Sequence, residues 1–359
     1  MNDTPAALPP GSTIGILGSG QLGRMLAIAA AQLGYRCHIY APVTGPANDV
    51  AAAFTRGAYD DAAALGAFAS VVDVVTYEFE NVAADALADL ADRVAVRPSI
   101  AALVTAQDRV AEKRFVEQLG GRPAPWAAVA DRDALDAAIA QVGTPAVLKT
   151  TRFGYDGKGQ ARIATPEDAD AAWEAIGGGP AVLEAFVDFA HEFSIVLVRG
   201  LSGDTTSYAP PHNVHNDGIL ATSTLPAPPE VAAQWTEAAA LAGRIAEALD
   251  HVGVLAIEFF VGADGPVFNE MAPRVHNSGH WTIEGAETSQ FENHIRAICG
   301  LPLGPTGLTG TSVEMLNLIG EDAAGAARFL SVPGAHVHLY GKHESRPGRK
   351  MGHVTRVIR

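Results

Sequence analysis

Short apolar runs alternate with alanine-rich stretches of helical period along the first hundred residues. Thr13 to Leu17 reads as a buried strand, followed by GSGQLGRM and a helix to about Leu33. Arg36 to Ala41 forms a second strand, Val71 to Phe79 a third and Val94 to Val96 a short fourth. Strands alternating with helices predict a parallel sheet with helices on its faces. This unit is expected over residues 1–105, its first eleven residues flexible. A helix from Ala106 to Leu119 leads into a different texture. Runs at Ala146–Lys149, Gln160–Ile163, Val182–Phe186 and Phe193–Val198 lie close enough for hairpins. Glu230 to Asp250 carries the period of a long amphipathic helix, and another helix is expected at about 288–299. Leu301 to Gly310 reads as a linker, and the tail has strands at His336–Tyr340 and His353–Ile358 around a basic turn.

Between the last two helices lies the most informative stretch, LAIEFFVGADGPVFNEMAPRVHNSGHWT from Leu255 to Thr282. Two apolar runs flank a Gly-Ala-Asp-Gly turn, and each carries one glutamate. Alternation puts Ala256, Glu258 and Phe260 on one face of the first strand, and Phe268, Glu270 and Ala272 on one face of the second. An odd-length loop centred on Asp264 sets Glu258 opposite Glu270, with Cβ atoms about 5 Å apart. A two-residue Asp-Gly turn instead sends the glutamates to opposite faces. Facing carboxylates repel and are costly to bury, and a hard divalent cation relieves both problems.

Composition narrows the classes. The chain has 359 residues, enough for two or three domains, with 48% hydrophobic and 18% charged residues. A net charge of -15 argues against nucleic acid and anionic membranes as partners. Cys37 and Cys299 imply no disulfide framework, so a reducing, cytoplasmic setting is expected. The start MNDTPAALPPGS lacks the pattern of a signal peptide, and no apolar run is long enough to span a membrane.

Further segments carry chemistry. Gly18, Gly20 and Gly23 match a dinucleotide fingerprint, but the second strand ends Tyr40-Ala41-Pro42 without the carboxylate a ribose needs. The loop therefore reads as a mononucleotide or phosphate loop, or as a tight turn that binds nothing. Gly154-Tyr-Asp-Gly-Lys-Gly-Gln160 lacks Walker spacing, yet its amides, Lys158 and the strand-end Lys149 suit a polyphosphate. Glu184 and Glu192 sit at strand ends, as ribose ligands or as solvated carboxylates. Arg109 and Lys113 share a helix face, a phosphate site or a solvated stripe. Arg274, with the fork geometry that suits small oxyanions, begins a polar loop through His280 that has no zinc spacing. The turn from Gly341 to Lys350 concentrates positive charge, fit for a phosphate monoester.

Together, Lys149, GYDGKGQ, Glu184, Glu192 and the Glu258/Asn269/Glu270 set resemble the ATP-grasp family. GSGQLGRM, TYEFENV, NEMAPRVHNSGHWT and GRKMGHVT resemble those members that carboxylate 5-aminoimidazole ribonucleotide with ATP and bicarbonate. The resemblance spans roughly residues 12 to 359 and departs at Ser19, where a third glycine is expected. It implies a mixed α/β and α+β architecture: a Rossmann-like N-terminal domain, a lid at about 124–187 within an ATP-grasp region of 106–300, and a larger mixed sheet. A segment at 301–359 completes the substrate site. It implies ATP with Mg2+, or Mn2+ in its place, and a homodimer.

By the same resemblance, Arg109, Lys149 and the loop Gly154, Tyr155, Asp156, Gly157, Lys158, Gly159 and Gln160 contact ATP phosphates. Glu184, Ala185, Phe186 and Val187 bind adenine, Glu192 binds ribose, and His215 and Asn269 line the site. Glu258 and Glu270 hold the metal. Gly20, Gln21, Glu78, Tyr155, Asp156, Lys342, Arg349 and Lys350 take the ribonucleotide, while Arg274, His276, Asn277 and Ser278 take bicarbonate. Asp156, Arg274, His276, Asn277 and Lys342 are the expected catalytic set. Two alternatives remain: an ATP-grasp ligase using formate or an amino acid, and a nicotinamide-dependent oxidoreductase built on the first glycine loop.

Overall fold

A computed structural model of the chain describes residues 6–154 and 159–359. Tyr155, Asp156, Gly157 and Lys158, expected at the nucleotide and substrate, lie outside the described residues. The N-terminal sheet is parallel, with strands ordered Ala53–Arg56, Arg36–Ala41, Thr13–Leu17, Val74–Tyr77. Ala53–Arg56 is an edge strand whose mixed sequence gave no apolar run. The expected strand at 94–96 is reduced to one parallel bridge, Val75 to Val96. The expected helix 106–119 is two helices, Ile100–Gln107 and Arg109–Gln118. Asp108 separates them because its carboxylate caps the second, accepting from the amides of Val110 and Ala111.

Four antiparallel strands, Trp126–Val129, Ala181–Ala185, Ala146–Thr150 and Gln160–Ile163, make a small second sheet. The third sheet has nine strands, and its described pairings are all antiparallel rather than mixed. It begins with the hairpin of Gly265–Ala272 and Gly253–Gly262, passes through Glu192–Arg199, His212–Asn216 and Ile219–Leu225, and ends with Ser312–Ile319, Lys350–Ile358 and Ala335–Leu339. The C-terminal strands thus extend the sheet of the glutamate hairpin directly, through the pairing of Ile219–Leu225 with Ser312–Ile319.

Alternation assigns the two faces of this sheet. Phe193, Ile195, Leu197, Leu255, Ile257 and Phe259 pack against Leu241, Ala242 and Ile245 of the helix Pro229–Ala248. Each of these Phe, Ile and Leu side chains contributes roughly 1.5–3 kcal/mol on burial. The opposite face of the same strands carries Glu192, Ser194 and Glu258; Ser194 registers directly with Glu258, and Glu192 lies two residues along, opposite Phe260. A rigid apolar layer on one side therefore fixes a row of polar side chains on the other.

Candidate active site

The hairpin holds its two glutamates opposite each other, by a different route from the expected one. Gly262 pairs with Gly265, so the turn is two residues long, not odd. That register would pair Glu258 with Asn269 and turn Glu270 toward the apolar layer. A bulge intervenes: Phe259 pairs with Phe268 but Glu258 pairs with Glu270, leaving Asn269 as the extra residue. Burial, then the charges of Glu270 and Glu192, raise the Glu258 carboxyl above its usual range. Glu270 is held below it by Arg109, whose Nη1 lies 2.9 Å from Glu270 Oε2. Glu192 Oε2 lies 2.9 Å from His215 Nδ1, and Glu192, His215 and Glu258 present ligand atoms within 4.8 Å of one another.

Next to this floor, Lys113 Nζ and Lys149 Nζ each lie 3.1 Å from the same oxygen, Glu184 Oε2. These cations and Arg109 keep the buried Glu184 carboxyl ionised despite desolvation. Lys113 is buried and no part of a solvated stripe. Its position four residues after Arg109 on one helix was the available signal. Gly159 has φ +69, and Gln160 pairs with Lys149 across the hairpin. Ala185 ends its strand, and Phe186 stacks beneath the Arg162 guanidinium at 4.3 Å.

A cavity of about 780 Å³ opens over Glu258 and Glu270. Arg109, Gly154, Gln21, Glu78, Glu80, Arg274, His276 and Asn277 share its wall with Lys342, Arg349 and Lys350. Lys149, Glu184, Glu192, His215 and Asn269 are not among its lining residues. Two expectations need correction. The first glycine loop is not free for a phosphate, because the Gly20 amide donates to Glu78 Oε1 at 2.8 Å. An internal carboxylate already occupies the helix N-terminus. A Cβ at Gly20 would lie 2.7 Å from that oxygen, so glycine is needed there for the approach of Glu78. Ser278 lies below the wall, its hydroxyl 2.8 Å from that of Ser194 and 2.9 Å from His276 Nδ1. It supports His276 rather than facing the cavity. Burial and the Arg274 charge push the His276 imidazole well below its ordinary pKa, so it is neutral.

Comparison with known proteins places this geometry. An ATP-grasp domain model matches residues 114–291, and a ribonucleotide synthetase preATP-grasp domain model matches 12–107. A phosphoribosylaminoimidazole carboxylase C-terminal domain model matches 314–359. The N5-carboxyaminoimidazole ribonucleotide synthase of Brucella melitensis is 50% identical over 356 residues, covering 98% of both chains. The chain belongs to the N5-carboxyaminoimidazole ribonucleotide synthase family. The crystal structure of the Thermus thermophilus synthetase has 48% identity and a TM-score of 0.90, over 96% of this chain and 93% of its own. The Aspergillus clavatus synthase, solved with ADP and 5-aminoimidazole ribonucleotide, has 32% identity and a TM-score of 0.91, over 97% and 94%.

The synthase family's ATP-grasp fold and its N-terminal parallel sheet match the architecture described above. Its C-terminal domain corresponds to the strands that bring Lys342, Arg349 and Lys350 to the cavity. There Lys342 Nζ donates to the Lys350 carbonyl at 2.6 Å, and Arg349 Nη1 donates to the Glu344 carbonyl at 2.8 Å. The turn is thus held in shape by its own backbone. Sequence reasoning missed Glu112 and Glu80 at this site and left Lys113 open between a phosphate site and a solvated stripe. Glu112 is buried, accepts the Met271 amide at 2.7 Å and is pushed up to about 8 by burial.

Proposed function

We propose that this enzyme couples ATP cleavage to carboxylation of 5-aminoimidazole ribonucleotide by bicarbonate, giving the N5-carboxylated nucleotide, ADP and phosphate. The observation that carries it is a single cavity lined at once by the facing glutamates, by Arg274 and by the basic C-terminal turn. Each group suits one of three anions: a polyphosphate, a small oxyanion and a phosphate monoester.

Glu258 and Glu270 fit a divalent cation, since the raised Glu258 carboxyl marks a buried anion with too little compensating charge. Mg2+, or Mn2+ in its place, would be held by these two residues and, when bound, neutralises polyphosphate charge. Arg109 and Lys149 orient the β- and γ-phosphates, with Gly154, Gly159 and Gln160 closing over them and Asn269 beside them. Backbone from Glu184 to Val187 holds adenine, and Glu192 with His215 holds the ribose side.

Arg274, His276 and Asn277 hold bicarbonate. A bicarbonate oxygen attacks the γ-phosphorus, and the bond to ADP breaks. The resulting carboxyphosphate loses phosphate and releases CO2 inside the cavity. Nitrogen of the exocyclic amine bonds to that carbon and gives up one proton. Gln21, Glu78, Lys342, Arg349 and Lys350 position the ribonucleotide for that attack, with Gly20 giving Glu78 its place. The protein's work is alignment and exclusion of water. An ATP hydrolysis assay tests the proposal. Hydrolysis is expected to need both bicarbonate and 5-aminoimidazole ribonucleotide; dependence on formate or an amino acid instead would overturn it.

A further inference from the structure

The second glutamate of the segment Glu78-Phe-Glu-Asn81 has no role in the site so far, although it lines the cavity. Glu80 follows the last strand of the N-terminal sheet, and Arg274 follows the second strand of the glutamate hairpin. Their side chains meet in a two-bond pair. Arg274 Nε donates to Glu80 Oε2, and Arg274 Nη2 donates to Glu80 Oε1 at 2.8 Å. Arg274 Nη1 also donates to the Val275 carbonyl at 3.0 Å.

A guanidinium has five N–H groups in one plane. Three are used by Glu80 and Val275. One N–H on Nη1 and one on Nη2 have no acceptor among the described residues. Glu80 occupies the Nε side of the guanidinium and fixes the plane in which the remaining donors lie. Two N–H groups in the plane of one guanidinium suit the oxygens of a planar carboxylate-like anion. The Arg274 side chain is 16% exposed and that of Glu80 is 28% exposed, so the pair is accessible from the cavity yet screened from bulk water.

We propose that Glu80 is a positioning residue for the carboxylation reaction. It holds Arg274 so that the guanidinium's unused donors receive bicarbonate in one orientation. Glu80 also balances the Arg274 charge, so that the anion is held by directed hydrogen bonds and can still react. This rests on the assignment of bicarbonate to Arg274, and the test separates the two.

Steady-state kinetics with each substrate varied in turn provide that test, on Glu80→Gln, Glu80→Asp and Arg274→Lys. Gln keeps the shape of Glu80 but turns an NH2 toward a donor, so one bond of the pair is lost. Glu80→Gln is expected to raise the KM for bicarbonate on the order of tenfold, the cost of losing a charge-assisted bond. The KM values for ATP and the ribonucleotide should stay within about twofold of wild type, since neither is held by Arg274. Glu80→Asp keeps both acceptor oxygens and should recover part of the bicarbonate KM. Arg274→Lys should raise the same constant, and adding Glu80→Gln to it should raise it little further. If Arg274→Lys leaves the bicarbonate KM unchanged, the bicarbonate assignment fails and the role of Glu80 fails with it. If Arg274→Lys raises it and Glu80→Gln does not, only the role of Glu80 fails. A uniform rise in all three KM values with a lower Tm would make the pair a structural bridge and overturn the proposal. Should Glu80→Gln not fold, Glu80→Asp decides by the same split.

Discussion

Glu258 faces Glu270 across an antiparallel ladder even though a turn of two residues joins their strands. The bulge at Asn269 adds the single residue that the turn lacks. Without it, Glu270 would point into the layer of Phe259 and Phe268, where a carboxylate has no partner. With it, the two carboxyl groups share one face, Glu270 paired with Arg109 and Glu258 raised above its usual range by burial.

The two glutamates should therefore respond differently to neutralisation. Glu270→Gln removes the partner of Arg109 and, on the proposed function, a cation ligand. Turnover is expected to fall on the order of 100-fold or more, as loss of metal charge stabilisation implies. Circular dichroism should show an intact fold. Glu258→Gln replaces a buried carboxyl that folding pushes above its usual range, so without metal near neutral pH it should melt a few degrees above wild type, on the order expected for about 1 kcal/mol. It should also lose the stabilisation that Mg2+ and ADP give the wild type. Near-normal turnover of Glu270→Gln would take that residue out of the cation site.

Much of this site was legible because its chemistry lies in short contiguous segments. The hairpin and the basic turn announced themselves by residue type and spacing. What was hidden depends on pairing between distant residues. An odd loop and an even turn plus a bulge give the same facing pair, and a sequence does not distinguish them. Lys113 stayed open between a phosphate site and a solvated stripe because its partner Glu184 lies 71 positions on, in a strand of the second sheet. Glu80 sits 194 positions from Arg274, so its side chain had no visible partner.

Lys113 itself gives a stability prediction. It and Lys149 share one carboxylate oxygen in a buried setting. Lys113→Met leaves Glu184 with Lys149 as its remaining cation. Complete loss of the partner of a buried ion costs about 3–5 kcal/mol, so retention of Lys149 puts the expected cost on the order of 2 kcal/mol. Urea denaturation would measure it. Wild-type stability in the variant would mean that Lys149 alone satisfies Glu184.

Glu112 sets a pH dependence of folding. Burial pushes its carboxyl up to about 8 from 4.5, against the lowering effects of Lys113, Arg109 and the Met271 amide. Between these values the unfolded chain has released the proton and the folded protein retains it. The folded state then binds more protons, so this group's contribution to stability falls as pH rises from 4.5 toward 8. Glu112→Gln keeps an acceptor for Met271 but does not titrate. The Tm of the variant relative to wild type should climb with pH across that window and level off above it. A constant difference across the window would show that Glu112 is ionised throughout.

The C-terminal turn should act on one substrate only. Arg349 and Lys350 reach the cavity from the far end of the nine-stranded sheet, and Lys342 braces the turn through the Lys350 carbonyl. A phosphate monoester carries close to two negative charges, and loss of one arginine contact costs about 2–3 kcal/mol. Arg349→Ala is therefore expected to raise the KM for 5-aminoimidazole ribonucleotide about 30- to 100-fold. The KM for ATP should hardly move, because the residues proposed for its polyphosphate, Arg109 and Lys149, lie outside the C-terminal turn. Raising the ionic strength should weaken ribonucleotide binding in the wild type more than in the variant, which has lost a charge to screen. An equal rise in both KM values would place Arg349 on the ATP phosphates and reassign the basic turn to the nucleotide.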